Sequence, residues 1–249
     1  MSAAPAPALA LAPPPCGDGI TAPASGWTFH DPAVAAAFDA HVALSTPGYE
    51  DLQRLIGRLS SYFVHDGSAV VDYGCATGRT IAEIASQNQG RRIRFIGIDD
   101  AEPMAAQARA RLASLPSVEI RTASVTASPP PADASLLLAV YTLQFMPIAA
   151  RQQALAAWRA ATQPGATLII VEKTVAEESA LAIPFSDIHH DEKLEAYSAA
   201  EVIGKARSLR GVLRPLTAIS NMAMLADAGW SCQRFWQHLA FVGWVCTRV

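Results

Sequence analysis

The sequence predicts a single α/β domain around a doubly wound, mainly parallel sheet. Three observations carry this. Short apolar strand runs alternate with segments rich in good helix formers, which implies parallel strands covered by helices on both faces. The 249 residues suffice for one sizeable domain with an elaboration and fall short of two. Half of them are apolar (51%) and only 16% are charged, a balance that fits a packed core and not a disordered chain.

Residues 1–26 are more than half alanine and proline and lack the basic flank and long apolar segment of a signal peptide. They read as a mobile tail, because the prolines forbid a helix and nothing there can bury a core. The ordered domain is expected over 27–249, beginning at Trp27. AVAAAFDAHV (33–42) reads as a helix, and TPGY (46–49) ends it with proline and glycine. EDLQRLIGRLSSYF (50–63) then sets Leu52, Leu55, Ile56, Leu59 and Phe63 on one helical stripe.

Strands follow at 68–73, 92–99, 118–123, 134–142 and 166–174, with helices between them at 77–88, 102–115 and 148–162. A mostly helical insertion over 176–228 interrupts the rhythm before two last strands near 230–236 and 239–249. A hairpin there adds an antiparallel C-terminal strand to the parallel sheet. No internal repeat is evident.

The net charge of −3 gives no electrostatic footprint for nucleic acid or an anionic membrane. No apolar run reaches the roughly 18 residues of a spanning helix. A small molecule is therefore the expected partner. Cys16, Cys75, Cys232 and Cys246 are scattered without a C-x-x-C pair, suggesting neither a zinc cluster nor a disulfide framework and favouring a cytoplasmic protein.

VVDYGCATGR (70–79) leaves the first strand through an aspartate and two glycines before a helix begins near Thr77. In a doubly wound sheet, ligands bind off the carboxyl ends of the strands, and this first turn makes the closest approach. Glycine can take the positive φ such turns need, and a side chain at Gly74 would obstruct a ligand lying against the backbone. A tight turn alone is the competing explanation for Gly74 and Gly78. IGIDD (96–100) favours the ligand, because it ends the next strand with Asp99, 25 residues after Gly74, where an acid accepts hydrogen bonds from both hydroxyls of a ribose.

The loop carries neither the G-x-G-x-x-G of a dinucleotide site nor the G-K-[ST] of a phosphate loop. Asp72, two residues before the first glycine, suits a ligand with an ammonium end. S-adenosyl-L-methionine has an amino-acid end, a sulfonium and an adenosine but no phosphate, and it fits these features.

The order D-x-G-x-x-x-G followed by I-D-D resembles the Rossmann-like class I S-adenosylmethionine-dependent transferases. WTF (27–29), PGY (47–49), TLQF (142–145), EK (172–173), HHD (189–191), YS (197–198) and the RS at 207–208 narrow the resemblance to the carboxy-S-adenosylmethionine synthases and their near relatives. The resemblance implies that Tyr49, Gly74, Cys75, Ala76, Asp99 and Asp100 line the cofactor pocket, with Ser124, Val125 and Val140 at three further pocket positions. Ser124 stands in place of an acid that would meet the adenine, and Val140 in place of an asparagine near the sulfonium end. Leu44 replaces an arginine before S-x-P-G-Y. The resemblance also implies a homodimer in which Arg207 of one subunit meets a carboxylate in its neighbour's pocket.

Arginine suits a carboxylate because its planar fork makes two parallel hydrogen bonds. The competing reading sets Arg207, Arg210 and Arg214 on one solvated helical face. In HHDEK (189–193), adjacent histidines on a helix point about 100° apart and do not readily share an ion, so no metal is expected. His189 and His190 read as pocket-lining or hydrogen-bonding groups. If the acceptor must lose a proton, His190 or Tyr49 is the candidate base, and these two with Arg207 are the catalytic candidates. The expected reaction is methyl transfer from S-adenosylmethionine to a small carboxylate-bearing metabolite such as a 2-oxo acid. The alternatives are synthesis of carboxy-S-adenosylmethionine from S-adenosylmethionine and prephenate, and a non-methylating protein that only binds the cofactor.

Overall fold

A computed structural model describes residues 28–248, so the expected tail over 1–26 and Trp27 lie outside the described residues. Helix α1 (Pro32–Ser45) starts where Asp31 Oδ1 accepts the Ala33 N–H at 2.8 Å, with proline at its first position. Gly48, at φ +64°, then turns the chain into α2 (Tyr49–Ser60). Three βα units follow in order: β1 (Ala69–Tyr73), α3 (Arg79–Gln87), β2 (Arg94–Asp99), α4 (Glu102–Arg111), β3 (Val118–Thr122), β4 (Ala134–Val140), α5 (Ile148–Ala161) and β5 (Thr167–Lys173). The insertion consists of α6 (Ser179–Leu194), α7 (Ala199–Ser208) and α8 (Ala218–Asp227), and β6 (Ser231–His238) and β7 (Phe241–Thr247) close the domain.

The seven strands lie in the order β3-β2-β1-β4-β5-β7-β6. β1 to β5 pair in parallel, whereas β7 runs antiparallel to both of its neighbours, β5 and β6. The hairpin thus inserts its second strand into the sheet, and the expected doubly wound architecture is the one observed.

Successive residues of a strand face opposite sides of the sheet, so each strand feeds two cores. Val71, Leu137 and Ile170 face α5 and α8, where Trp158 and Leu225 meet them. Val70, Leu136, Leu138 and Ile169 face α2 and α3, where Leu52, Ile56, Ile81 and Ile84 close the other side. A third group joins Val34 and Ala35 of α1 to Ala101 and Met104 at the start of α4, and so fixes α1 across the carboxyl ends of the strands.

Several expectations are corrected. The stripe helix stops at Ser60 and not at Phe63, where Ser60 Oγ turns back on Gly57 O at 2.6 Å. Helix α7 ends at Ser208, so Arg210 and Arg214 lie beyond it and form no common helical face with Arg207. Cys232 and Cys246 are joined by a disulfide with Sγ atoms 2.14 Å apart, because they are directly opposite across β6 and β7. The argument from unpaired cysteines to a reducing compartment loses its basis. Among the described residues, no helix is long and apolar enough to cross a membrane.

Candidate active site

The carboxyl ends of β1, β2, β4 and β5 open into one cavity of about 460 Å³, covered by α1 and by parts of α6 and α7. β1 delivers Asp72 to its floor. Tyr73, the next residue, points the other way and stacks on Trp158 with ring centroids 4.0 Å apart. Gly74 takes φ +70°, and a Cβ there would lie 2.5 Å from Thr142 Cγ2 and Oγ1. Thr142 cannot easily yield, since its Oγ1 donates to Tyr73 O at 2.7 Å. The side chain excluded at Gly74 therefore collides first with the chain itself, which corrects the expectation that a ligand sets this limit. Gly78 lies outside the cavity lining, and a Cβ there would meet Leu112 Cδ1 at 2.9 Å. The lack of a side chain there lets the start of α3 pack close to Ala108 and Leu112, and the structure does not bring Gly78 to the cavity with the other predicted cofactor residues.

Asp99, at the end of β2, braces the same turn. Its Oδ2 accepts the Ala76 N–H at 2.9 Å and its Oδ1 accepts the Ala101 N–H at 3.0 Å. Each oxygen keeps a second lone pair for a ligand hydroxyl. Ala76 is held at φ +46° and Tyr141 at φ +58°, two non-glycine residues in the left-handed region that both line the cavity. Such conformations cost of order 1–3 kcal/mol each and persist where surrounding structure imposes them. Thr77 Oγ1 donates to Asp39 Oδ1 at 2.6 Å, and Arg111 binds both Asp39 and Thr77, tying α1 to the turn.

Three buried polar atoms along this cavity have no hydrogen-bond partner among the described residues: Asp72 Oδ2, Tyr141 Oη and His189 Nδ1. Asp72 is 1% exposed, and burial, followed by the nearby Asp99, pushes its carboxyl up to about 8. An orphaned, buried carboxylate beside a glycine turn fits the ammonium end of S-adenosylmethionine, and Asp99 fits its ribose. The residues present therefore suit this cofactor.

Of the predicted cofactor residues, Tyr49, Asp72, Gly74, Cys75, Ala76, Asp99 and Asp100 line the cavity, as do Ser124, Val125 and Val140. Burial raises the Tyr49 phenol and the Cys75 thiol, so both stay protonated. His190 and Arg207 are exposed and lie outside the lining. His190 is thus corrected as a candidate base: its neighbour His189 is the histidine that faces inward, only 5% exposed, with burial and then Lys193 lowering it to about 3. Leu44, in the position of the missing arginine, is 45% exposed and also outside the lining.

Sequence reasoning missed the far end of the cavity. Lys173 at the end of β5, Lys193 on α6 and Lys205 on α7 line it with Phe241 of β7. The stretches EK (172–173) and HHDEK (189–193) contain two of them, but neither pattern singles out its lysine. Strand alternation separates the EK pair: Glu172 turns away to accept the Leu143 N–H at 3.0 Å, while Lys173 enters the cavity.

A methyltransferase-domain family model matches residues 70–165, the segment from β1 to the turn that follows α5. The carboxy-S-adenosyl-L-methionine synthase of Actinobacillus pleuropneumoniae serotype 5b is 30% identical over 219 residues, covering 84% of this chain and 88% of that protein. The synthase of Methylococcus capsulatus is 29% identical over 221 residues, covering 87% and 91%. Among solved structures, an O-methyltransferase family protein from Burkholderia thailandensis superposes with a TM-score of 0.63 over 88% of this chain at 15% identity, and the chain spans 60% of that protein's length. Fold and site together define a class I S-adenosylmethionine-dependent transferase. Within that class, the chain belongs to the carboxy-S-adenosylmethionine synthase family.

Proposed function

We propose that the protein transfers a methyl group from S-adenosylmethionine to a small carboxylate-bearing metabolite, such as a 2-oxo acid. One observation carries this reading: the cavity that begins at the Asp72 and Asp99 cradle continues under α1 to an end lined by lysines, within about 460 Å³. That volume suits a small acceptor beside the cofactor. S-adenosylmethionine supplies the activated methyl group. Transfer from a sulfonium is already downhill, so the task of this chain is to hold the acceptor in line, and positioning of this kind is worth roughly 7–11 kcal/mol. Tyr49, which stays protonated, donates a hydrogen bond to the acceptor and does not act as a base.

A second reading is synthesis of carboxy-S-adenosylmethionine from S-adenosylmethionine and prephenate. The named relatives favour it. So does the position of Leu44, since a change outside the cavity is a weaker departure than one beside the reacting atoms. Two departures line the cavity, Ser124 and Val140, and Val140, matching the position near the sulfonium end, favours methyl transfer. In either reading we take the enzyme to be a homodimer, in which Arg207, exposed on α7 and away from its own cavity, serves the neighbouring subunit.

Mass spectrometry of the purified enzyme with S-adenosylmethionine separates the readings. A methylated 2-oxo acid together with S-adenosylhomocysteine is the expected result. A cofactor heavier by one CO₂ unit after incubation with prephenate would establish the synthase instead. Cofactor binding without turnover of any oxo acid, phenol or amine would leave a non-methylating binding protein. Sedimentation tests the dimer: a monomer with full activity would refute the role given to Arg207.

A further inference from the structure

We infer that Lys173 and Lys193 of the same chain form the acceptor's carboxylate site, with Phe241 as its apolar wall. This rests on the methyl-transfer reading above and names the residues that select the substrate. Lys173 Nζ lies 5.4 Å from the centroid of the Phe241 ring. His189 meets the same ring edge-on at 5.0 Å, and Tyr141 does so at 6.1 Å. Among the described residues, neither ammonium has a salt bridge. Of the carboxylates on the same elements, Glu172 accepts the Leu143 N–H at 3.0 Å, and Glu192 meets His238 Nε2 at 2.9 Å through Oε1 while its Oε2 lies 3.9 Å from His189 Nδ1.

Two lysines brought together in a half-buried cavity without an anion are unfavourable, both by desolvation and by mutual repulsion. Burial lowers Lys173, and burial together with Lys173 lowers Lys193 to about 8. Lys173 from β5 is the charge that acts on Lys193, and both lysines act on His189 of α6; Lys205 of α7 and Tyr49 of α2 line the same cavity, while Glu192 of α6 lies between His189 and His238 of β6. A carboxylate set between the two ammoniums offsets the repulsion, and the Phe241 and Tyr141 rings suit an aromatic or branched body attached to it.

The cofactor is the other possible source of a carboxylate. Position argues against it. β5 is two strands from β1, about 10 Å along the sheet, whereas the cofactor's carboxylate shares a carbon with the ammonium that Asp72 attracts.

The test is calorimetry on the full chain saturated with S-adenosylhomocysteine, with phenylpyruvate as the probe and phenylacetone as its counterpart lacking the carboxylate. Wild type is expected to bind phenylpyruvate at least roughly tenfold more tightly than phenylacetone. Lys173→Met and Lys193→Met should each lose that preference, Lys193→Arg should keep it, and S-adenosylhomocysteine affinity should be unchanged in all three. At pH 8, binding of phenylpyruvate should take up more protons in wild type than in Lys193→Met, because a group near its pKa becomes more fully charged beside an anion. Equal binding of the two probes by wild type overturns the inference alone. So does a loss of S-adenosylhomocysteine affinity in the methionine variants with phenylpyruvate binding intact, since the carboxylate would then be the cofactor's. A wild type that binds no S-adenosylhomocysteine brings down the methyl-transfer reading, and this inference with it.

Discussion

Asp72 is a buried acid whose Oδ2 has no hydrogen-bond partner among the described residues, and which stays protonated near neutral pH until a cation arrives. Its folded pKa, raised to about 8 by burial and by Asp99, lies above an unfolded value near 3.9. Between about pH 4 and 8 the folded chain therefore holds a proton that the unfolded chain has released, and stability falls as pH rises through that window. Glu172, also pushed up to about 8 by burial, adds the same sign. Asp72→Asn is expected to melt with a shallower decline from pH 5 to 8 than wild type, and to bind S-adenosylhomocysteine about tenfold or more weakly through loss of a charge-assisted hydrogen bond. Scanning fluorimetry across pH and calorimetry read the two effects. At Gly74, alanine meets the left-handed backbone, at about 1–2 kcal/mol, and the wall of Thr142, at about 1–3 kcal/mol. Urea unfolding of Gly74→Ala should show a loss within the sum of those ranges; a loss below about 0.5 kcal/mol would mean that the turn relaxes freely.

Helix α1 forms much of the cavity's cover, yet only Val34 and Ala35 of it are buried. It depends on the link from Asp39 to Thr77 and Arg111. Burial works to raise the Asp39 carboxyl, but hydrogen bonds from Arg111 and Thr77 outweigh it and hold it low. The stability this group adds is present above its unfolded pKa and is lost as pH falls through the lower folded value. Asp39→Ala should thus speed hydrogen exchange in α1 and weaken cofactor binding while β1, β4 and β5 stay protected. Unaltered exchange in α1 would assign its position to Val34 and Ala35 alone. The same scale explains what the sequence could and could not reveal. The βα rhythm and the glycine turn are local patterns, so strands, order of elements and cofactor cradle were all legible. Whether His189 or His190 faces inward depends on the rotation of α6 about its axis, which apolar periodicity does not fix in a segment exposing Ile183 and Ile188. Cys232 and Cys246 needed the register of β6 on β7, and the lysine cluster needed β5, α6 and α7 brought together.

Across the whole molecule, the cofactor cradle draws on α1, α2, β1, β2 and β4, so a bound ligand links the two N-terminal helices to the carboxyl ends of strands already paired in the sheet. S-adenosylhomocysteine at a hundred times its Kd stabilises by about 2.7 kcal/mol, which in a domain of this size corresponds to a rise in Tm of about 5–11 °C. Scanning calorimetry with and without ligand measures it, and a shift below about 2 °C at saturation would mean comparable affinity for the unfolded chain. The place of β7 between β5 and β6 has a consequence for synthesis. Of all these elements β7 is made last, and it carries Phe241, the wall of the lysine-lined end. While the chain is still emerging, β5 keeps an open edge and the lysine-lined end of the cavity lacks a side, although the glycine turn has already been made. A ribosome-bound fragment thus presents its glycine turn before the lysine-lined end has been walled off.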